Sequence, residues 1–319
     1  MKLVILERDT YGNDIDFDAL EALVDEVVAY PVTAQEDVAR RVQDADFVLV
    51  NKLLMQESSL SGAKNLKLLL EGATGYNNID LDYVRSRGLG AANVAGYSVQ
   101  IVPQHTFALY LSLSEHIAHF DHYVKSGAYS RSGVFSHFMP SFTELEGKTW
   151  GIVGLGNIGK RVARIAEAFG CHVIYYSTSG RNNNPDYAQV DFDTLLKESD
   201  VVSIHAPLNT DTKGLFNAAA FAKMKPSAVL INVGRGPIVD EPALVDALNN
   251  GQIAGAGLDV METEPLPADS PLFNVKDPDK LLMTPHMAWA SVEARQRLVN
   301  EVALNLKAFL GGERRNRVD

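Results

Sequence analysis

Short apolar runs alternate with amphipathic segments along most of this 319-residue chain. Each run predicts a strand, and apolar residues at helical spacing predict a helix after most of them. Such an alternation favours a parallel sheet that is covered by helices on both faces. A long helical segment near Ser98–Lys125 separates two series of this kind. Strands are predicted at Lys2–Leu6, Glu26–Tyr30, Phe47–Val50 and Leu66–Leu70, and then at Trp150–Val153, Val173–Tyr176, Val201–His205, Ala228–Val233, Ala254–Leu258 and Leu281–Met283.

Composition excludes several classes of protein. The net charge is −11, which argues against nucleic-acid binding because that requires a basic surface. No apolar stretch reaches the roughly 20 residues that a membrane helix needs, and the apolar N-terminal run is too short for a secretory signal. Cys171 is the single cysteine, so no intramolecular disulfide can form. A cytoplasmic protein without a membrane partner is therefore expected.

A glycine-rich turn joins the first strand of the second series to a helix. Gly154, Gly156 and Gly159 have the spacing G-x-G-x-x-G between strand Trp150–Val153 and helix Lys160–Phe169. The first glycine permits the tight turn, the second lets the backbone approach a pyrophosphate, and the third lets helix and strand pack closely. The helix N-terminus offers unpaired N–H groups to phosphates. The pattern predicts a dinucleotide-binding site.

The acidic residue that holds the adenosine ribose in many such sites is missing. It is expected about 20 residues after the glycines, at the end of the second strand. That strand is instead followed by Ser177, Thr178, Ser179, Gly180 and Arg181. No carboxylate there repels the 2′-phosphate of NADP, and the hydroxyl groups and the arginine can bind it. The sequence therefore leaves NAD and NADP both open and predicts that NADPH is tolerated.

Three charged residues follow the last strands of the second series. Arg235, Glu264 and His286 come after three different predicted strands, and the carboxyl ends of parallel strands meet at the edge where ligands bind. An arginine binds a carboxylate bidentately, a histidine exchanges protons near neutral pH, and a carboxylate orients the histidine ring. Each residue alone is compatible with an ordinary surface role. Together they predict reduction of a 2-keto acid by a nicotinamide cofactor.

The chain resembles the D-isomer-specific 2-hydroxyacid dehydrogenases over essentially its whole length. The resemblance is carried by four motifs in order, Gly154–Gly159, Ile231–Gly236, Gly257–Pro265 and Thr284–His286. It implies two Rossmann-like, doubly wound α/β domains, one flavodoxin-like for substrate and one for NAD(P), with a cleft between them. The substrate domain would comprise residues 1–98 and 290–319, and the dinucleotide-binding domain residues 99–289.

The resemblance also implies roles for single residues. Arg235 would bind the substrate carboxylate and carbonyl, His286 would be the acid–base group, and Glu264 would pair with it. Two further loops would supply the substrate-binding residues Asn51, Lys52, Thr74 and Gly75. The cofactor would be bound by Gly154, Gly156, Asn157, Ile158, Gly159, Ser177, Thr178, Arg181, Pro207, Thr212, Val233, Asp259 and Ala288. Asp259 would lie on the nicotinamide side, and no metal is expected.

Three segments are most similar to the glycerate dehydrogenase and hydroxypyruvate reductase branch: Tyr76–Asp80, Ala95–Ser98 and Pro285–Ala290. The expected reaction is hydride transfer between NAD(P)H and hydroxypyruvate or glyoxylate. A D-lactate-like enzyme or one for bulkier 2-hydroxy acids is an alternative. A dinucleotide-sensing, corepressor-like binding module is an alternative of another class. The resemblance implies a homodimer formed through the linking helix and the segment Gly127–Gly147.

Three histidines recur within the predicted linking helix, at His116, His119 and His122. Residues at this spacing fan around a helix, whereas zinc ligands converge on one ion. The stripe therefore predicts an exposed or interface face of a helix, not a metal site.

Overall fold

Two parallel sheets organise the chain. The computed structural model describes residues 1–181 and 183–319. Twelve strands lie in this part, and they are numbered in chain order. They are β1 (Lys2–Ile5), β2 (Glu26–Ala29), β3 (Phe47–Val50), β4 (Leu68–Glu71), β5 (Gly90–Ala92), β6 (Thr149–Val153), β7 (His172–Tyr176), β8 (Ala188–Gln189), β9 (Val201–Ile204), β10 (Val229–Asn232), β11 (Gly255–Leu258) and β12 (Leu281–Met283).

Helices connect most of these strands. The α-helices of the described residues are α1 (Asp18–Glu21), α2 (Val38–Arg41), α3 (Glu57–Leu60), α4 (Leu81–Ser86), α5 (Ile101–Ser114), α6 (Ile117–Lys125), α7 (Ala128–Arg131), α8 (Asn157–Ala168), α9 (Phe192–Glu198), α10 (Ala218–Phe221), α11 (Glu241–Asn249) and α12 (Val292–Leu310). Short 3₁₀ segments lie at Arg8–Tyr11, Gln35–Asp37, Gly236–Ile238, Pro271–Asn274 and Pro278–Lys280. Within the described ranges, no helix is both long and apolar enough to cross a membrane.

The chain divides into two units, Met1–Ser98 with Ala290–Asp319, and Val99–Trp289. The first unit contains a five-stranded sheet in the order β2-β1-β3-β4-β5, in which every pair of neighbours is parallel. Its strands β3 and β4 are buried along their whole length, because helices cover both faces and leave no side for water. The carboxyl ends of β1, β3 and β4 consequently lie side by side.

The second unit contains a seven-stranded sheet in the order β12-β11-β10-β9-β6-β7-β8. All its strands are parallel, and the chain winds outward from β6 in both directions. The topological switch therefore lies between β6 and β9, where ligands bind in open α/β sheets. Trp150 anchors this centre: its indole is fully buried, stacks on Phe107, and donates a hydrogen bond to Ser203. The predicted doubly wound α/β class is confirmed for both sheets.

The linking helix is not continuous, so that expectation was wrong. Helix α5 ends at Ser114, and His116, in the left-handed region with φ of 52°, precedes α6. A non-glycine residue there ends the run of helical hydrogen bonds. His116 therefore lies outside the helix that carries His119 and His122. Among the described residues, no group of three or more His, Cys, Asp or Glu is arranged to hold a metal ion.

Candidate active site

The glycine-rich turn follows β6 in the middle of the second sheet. Gly154 has φ of 94°, and a Cβ there would lie 2.9 Å from the backbone of Ala206, which follows β9. A Cβ at Gly159 would lie 2.4 Å from the carbonyl oxygen of Gly154. Gly156 borders open space and precedes the first turn of α8, where Asn157 and Ile158 carry N–H groups that the helix leaves unpaired. The turn thus has both the room and the donors for a pyrophosphate.

The residues after β7 differ in their accessibility. Ser177 is only 6% exposed, and its buried hydroxyl oxygen has no hydrogen-bond partner within the described residues. Arg181 is exposed, and no carboxylate pairs with it in the described part of the chain. Arg181 therefore has a guanidinium group that is accessible to a 2′-phosphate, whereas the hydroxyl group of Ser177 is buried.

Thr212 has a structural contact that sequence reasoning did not anticipate. The side chain is fully buried, and its hydroxyl donates to the carbonyl oxygen of Pro207 at 2.7 Å. The hydroxyl oxygen of Thr212 also accepts a hydrogen bond from the N–H of Asn209 at 2.9 Å. The hydroxyl is thus engaged in holding the turn after β9. A cofactor contact by Thr212 or by Val233, which follows β10, stays a prediction.

Asp259 organises the loop after β12. Its Oδ1 accepts hydrogen bonds from the hydroxyl of Thr284 at 2.6 Å and the N–H of Met287 at 2.9 Å, and its Oδ2 accepts one from the N–H of Ala288 at 2.8 Å. The Nε2 of His105 lies 3.4 Å from Oδ1. Burial alone would raise the pKa of Asp259, but the hydrogen bonds from His105, Thr284 and the backbone outweigh it and place the pKa below its usual value. The carboxylate is 1% exposed, and through these hydrogen bonds it positions the loop that carries His286. A contact between Asp259 and a cofactor stays a prediction.

The side chains of His286 and Glu264 meet, as the sequence predicted. The ring Nδ1 lies 2.6 Å from Oε2 of Glu264, while Oε1 accepts a hydrogen bond from the N–H of Met261 at 3.0 Å. His286 has φ of 53°, in the left-handed region that few non-glycine residues adopt. Its N–H donates to the carbonyl oxygen of Asp259 at 2.8 Å. Because Nδ1 is occupied and Nε2 has no partner among the described residues, Nε2 is the atom that can exchange a proton.

Arg235 follows the neighbouring strand β10. Its Nη1 donates to the carbonyl oxygen of Gly234 at 2.8 Å, and no carboxylate pairs with it within the described ranges. The side chain of Asn232 shapes the loop, since it accepts from the N–H of Gly234 and donates to the carbonyl oxygen of Arg235. A Cβ at Gly236 would lie 1.9 Å from the carbonyl of Met261. Only glycine therefore lets the arginine loop approach the turn that carries Glu264.

The two predicted substrate loops of the first unit follow β3 and β4, which are paired. The N–H groups of Asn51 and Lys52 donate to the carboxylate of Glu7, a contact that the sequence did not reveal. In the described structure, the N–H groups of Thr74 and Gly75 find no acceptor, and the hydroxyl of Thr74 donates to Val94. Unpaired backbone donors suit an anionic group, which supports the predicted substrate role of this loop.

A buried carboxyl group lies directly before this loop. Glu71 is fully buried at the end of β4, where Oε2 accepts a hydrogen bond from Asn78 at 2.9 Å. Its Oε1 has no partner in the described residues, and neither has the buried hydroxyl of Tyr11. Burial raises the pKa of Glu71 well above its usual range; Asn78 opposes this shift and the charge of Glu7 adds to it. The sequence does not indicate this burial or the raised pKa, because Glu71 is a single glutamate at the end of an apolar run.

Replacing Glu71 by glutamine should stabilise the protein at neutral and alkaline pH. The raised pKa means that the folded state resists ionisation of Glu71, so the contribution of this group to stability is fully present near and below the usual value of 4.5 and is lost as the pH rises toward the raised pKa. Glutamine keeps the acceptor for Asn78 and cannot ionise. We expect a gain of roughly 1 to 3 kcal/mol at pH 8, the range for a buried polar group without full hydrogen bonding. Thermal unfolding measured from pH 4.5 to pH 9 tests this gain.

Glu21→Gln, which alters an exposed glutamate, is the matched control and should change the unfolding temperature by a similar small amount at every pH. If wild type and Glu71→Gln lost stability in parallel as the pH rises, Glu71 would not be the group responsible.

Comparison with known proteins identifies relatives of both units. A family profile described as "D-isomer specific 2-hydroxyacid dehydrogenase, NAD binding domain" matches residues 107–288. A hydroxypyruvate reductase from Blautia hydrogenotrophica is 36% identical over 318 residues, which is 98% of each chain. A glycerate dehydrogenase from Methylorubrum extorquens is 37% identical over 284 residues, 89% of this chain and 88% of its own.

A solved structure agrees with these relatives. An NADPH-dependent glyoxylate/hydroxypyruvate reductase from Sinorhizobium meliloti, in complex with NADP and malonate, matches with a TM-score of 0.82 and 28% sequence identity. The match covers 97% of this chain and 93% of that chain. The predicted resemblance is confirmed by both kinds of comparison.

Proposed function

Because the chain belongs to the D-isomer-specific 2-hydroxyacid dehydrogenase family, whose members are enzymes that use NAD(P), we propose that it reduces hydroxypyruvate and glyoxylate. The observation that carries the proposal is the pairing of His286 with Glu264 at 2.6 Å on the sheet edge where Arg235 has no carboxylate partner. Relatives named for these same two substrates support the choice of keto acid.

Three residues of the second unit, Arg235, Glu264 and His286, have different roles in the proposed reaction. A bound nicotinamide cofactor supplies the hydride that reduces the C2 carbonyl carbon. Arg235 can bind the substrate carboxylate with two parallel hydrogen bonds. His286 can donate the proton from Nε2 to the oxygen that becomes the hydroxyl group, so the hydride and this proton together complete the reduction. Glu264 holds the ring and stabilises its protonated form through Nδ1.

A steady-state panel of keto acids tests the substrate. It should include hydroxypyruvate, glyoxylate, pyruvate and a branched-chain 2-keto acid, each with NADH and with NADPH. We expect kcat/KM for hydroxypyruvate or glyoxylate to exceed that for pyruvate and the branched-chain acid. A higher value for either of the latter would contradict the substrate, and an absence of turnover with all four would contradict the enzymatic function.

Use of NADPH is the second part of the proposal. The exposed guanidinium of Arg181 follows β7, where no acidic residue stands between Ser177 and Arg181. We expect NADPH to be used with a kcat/KM within a thousandfold of that for NADH. Replacing Arg181 by alanine should raise the KM for NADPH about tenfold, as expected for the loss of one charge-assisted hydrogen bond, and leave the KM for NADH unchanged.

Arg164→Ala, on the exposed face of α8, provides a control for nonspecific loss of positive charge and should affect neither cofactor. An equal effect of Arg181→Ala on NADH and NADPH would remove Arg181 from the recognition of the 2′-phosphate.

The proposal includes a homodimer that uses α6 and the segment after α7. Large apolar side chains are exposed there, among them Phe135 at 90% and Phe138 at 77%. Several large exposed apolar side chains in one segment are typical of an interaction surface, which supports this part of the proposal. Sedimentation analysis should show a dimer for the wild type and a monomer for Phe135→Asp combined with Phe138→Asp. A monomeric wild type would contradict this part of the proposal.

A further inference from the structure

We infer that Glu241 is a positioning residue for the reaction, because its carboxylate holds the turn that places Glu264 against His286. The inference rests on the roles proposed above for Glu264 and His286. Glu241 acts through the backbone of Glu262, whose N–H donates a hydrogen bond to its carboxylate.

The contact joins the first turn of α11 to the segment after β11. Oε1 of Glu241 accepts a hydrogen bond from the N–H of Glu262 at 2.7 Å, and the side chain is only 5% exposed. Glu241 is not needed to cap its own helix, since Asp240 does this by accepting from the N–H of Ala243 at 3.0 Å. The buried carboxylate of Glu241 is therefore available to hold the neighbouring turn by its hydrogen bond.

Most of the turn is exposed. Met261 is buried, whereas Glu262, Thr263 and Glu264 are exposed. Within the described residues, the carboxylate of Glu264 accepts a hydrogen bond from the N–H of Met261, and the carboxylate of Glu241 accepts one from the next N–H along the chain. A displacement of Glu264 by about 1 Å would stretch its 2.6 Å bond to His286 beyond the range of a strong hydrogen bond.

We expect the positioning of the turn to depend on the acceptor oxygen of Glu241 and not on its negative charge. Burial raises the pKa of this carboxyl group; the hydrogen bond from the N–H of Glu262 lowers it, and the charge of the Glu262 side chain raises it further. Glutamine offers the same acceptor oxygen without a charge. Glu241→Gln should therefore keep the turn in place, whereas Glu241→Ala removes the acceptor and leaves the N–H of Glu262 without its partner.

Kinetics of a mutant cycle test the inference. We expect Glu241→Ala to lower kcat/KM for the preferred keto acid about tenfold, a loss within the range for a charge-assisted hydrogen bond, and Glu241→Gln to stay within twofold of wild type. In the Glu264→Gln background, the further change Glu241→Ala should lower kcat/KM less than twofold, since the residue through which it acts is already altered. Additive losses, or full activity of Glu241→Ala, would overturn the inference.

Asp240→Ala is the matched control. It weakens the same end of α11 but leaves the bond to Glu262 intact. It should lower the thermal unfolding temperature at least as much as Glu241→Ala, yet keep kcat/KM within twofold. If it reduced activity as strongly as Glu241→Ala, Glu241 would act only by stabilising the helix, and the inference would fail.

Proton NMR tests the positioning role of Glu241 without a measurement of turnover. The proton on Nδ1 of His286, shared with Glu264 at 2.6 Å, should give a downfield resonance in the wild type, in Glu241→Gln and in Asp240→Ala. It should broaden or vanish in Glu241→Ala. Should the wild type reduce no keto acid, the proposed function would fail while this resonance still reported on Glu241; an identical resonance in Glu241→Ala would refute the inference.

Discussion

Replacing His286 by alanine should lower kcat for keto acid reduction by about 10³-fold, within the range for the loss of a general acid. The ring is held through Nδ1 by Glu264 at 2.6 Å, which leaves Nε2 to deliver the proton. Without it, the oxygen atom that acquires negative charge must take its proton from water. Affinity for NAD(P)H should remain within twofold of wild type, because the glycine turn follows β6 whereas His286 follows β12, at the edge of the sheet. Steady-state kinetics and fluorescence titration of the cofactor measure the two effects.

His172→Ala is the control for this experiment, since His172 is an exposed residue at the start of β7. It should leave kcat unchanged. A variant at His286 that turned over at the wild-type rate would remove this histidine from the role of acid–base group, whereas a large loss of cofactor affinity would show that the loop of Asp259 had been disturbed.

Replacing Arg235 by glutamine should reduce kcat/KM for the keto acid by about 10³-fold. The guanidinium has no carboxylate partner in the described structure, so it is available for two charge-assisted hydrogen bonds to a substrate carboxylate. Each such bond contributes roughly 1.5 to 3 kcal/mol, and about 4 kcal/mol corresponds to a thousandfold. The KM for the keto acid should rise, and the KM for the cofactor should not change.

Arg235→Lys separates charge from geometry. Lysine keeps the positive charge but cannot form the planar, bidentate pair, so we expect a loss of intermediate size. Arg161→Gln, on the exposed side of α8, should be neutral. Equal activity of Arg235→Lys and the wild type would show that the bidentate pair is not required, and a neutral Arg235→Gln would exclude this residue from substrate binding.

The errors in the sequence-based fold have local causes. Strand β5 consists of Gly90, Ala91 and Ala92, residue types with low strand propensity, and β8 has only two residues. The sequence did not predict either strand, because neither shows the apolar run or the alternation of apolar and polar residues that predicts a strand. The break between α5 and α6 was missed because neither proline nor glycine marks it; the backbone of His116 turns into the left-handed region without such a signal.

The residues that the sequence did not single out are partly or fully buried polar groups. Glu7 and Glu241 each support a predicted site loop through contacts with segments elsewhere in the chain, and Glu71 is buried directly before another such loop. Asn232 shapes the loop of Arg235 through its own backbone. Nothing in the local sequence separates a glutamate of this kind from the solvated glutamates of a chain with 40 acidic residues.

The amino-acid sequence alone determined most of the alternation of strands and helices, the glycine turn, and the identity of the residues that follow the predicted strands. These properties depend on hydrophobic period and backbone freedom, which neighbouring residues set locally. Only the tertiary structure decided that Nδ1 of His286 meets Glu264, that Arg235 has no carboxylate partner, and that Asp259 and Glu241 hold the loops around them. Hydrogen bonds between distant segments depend on distances of a few tenths of an ångström, and folding establishes such distances by packing whole strands and helices together.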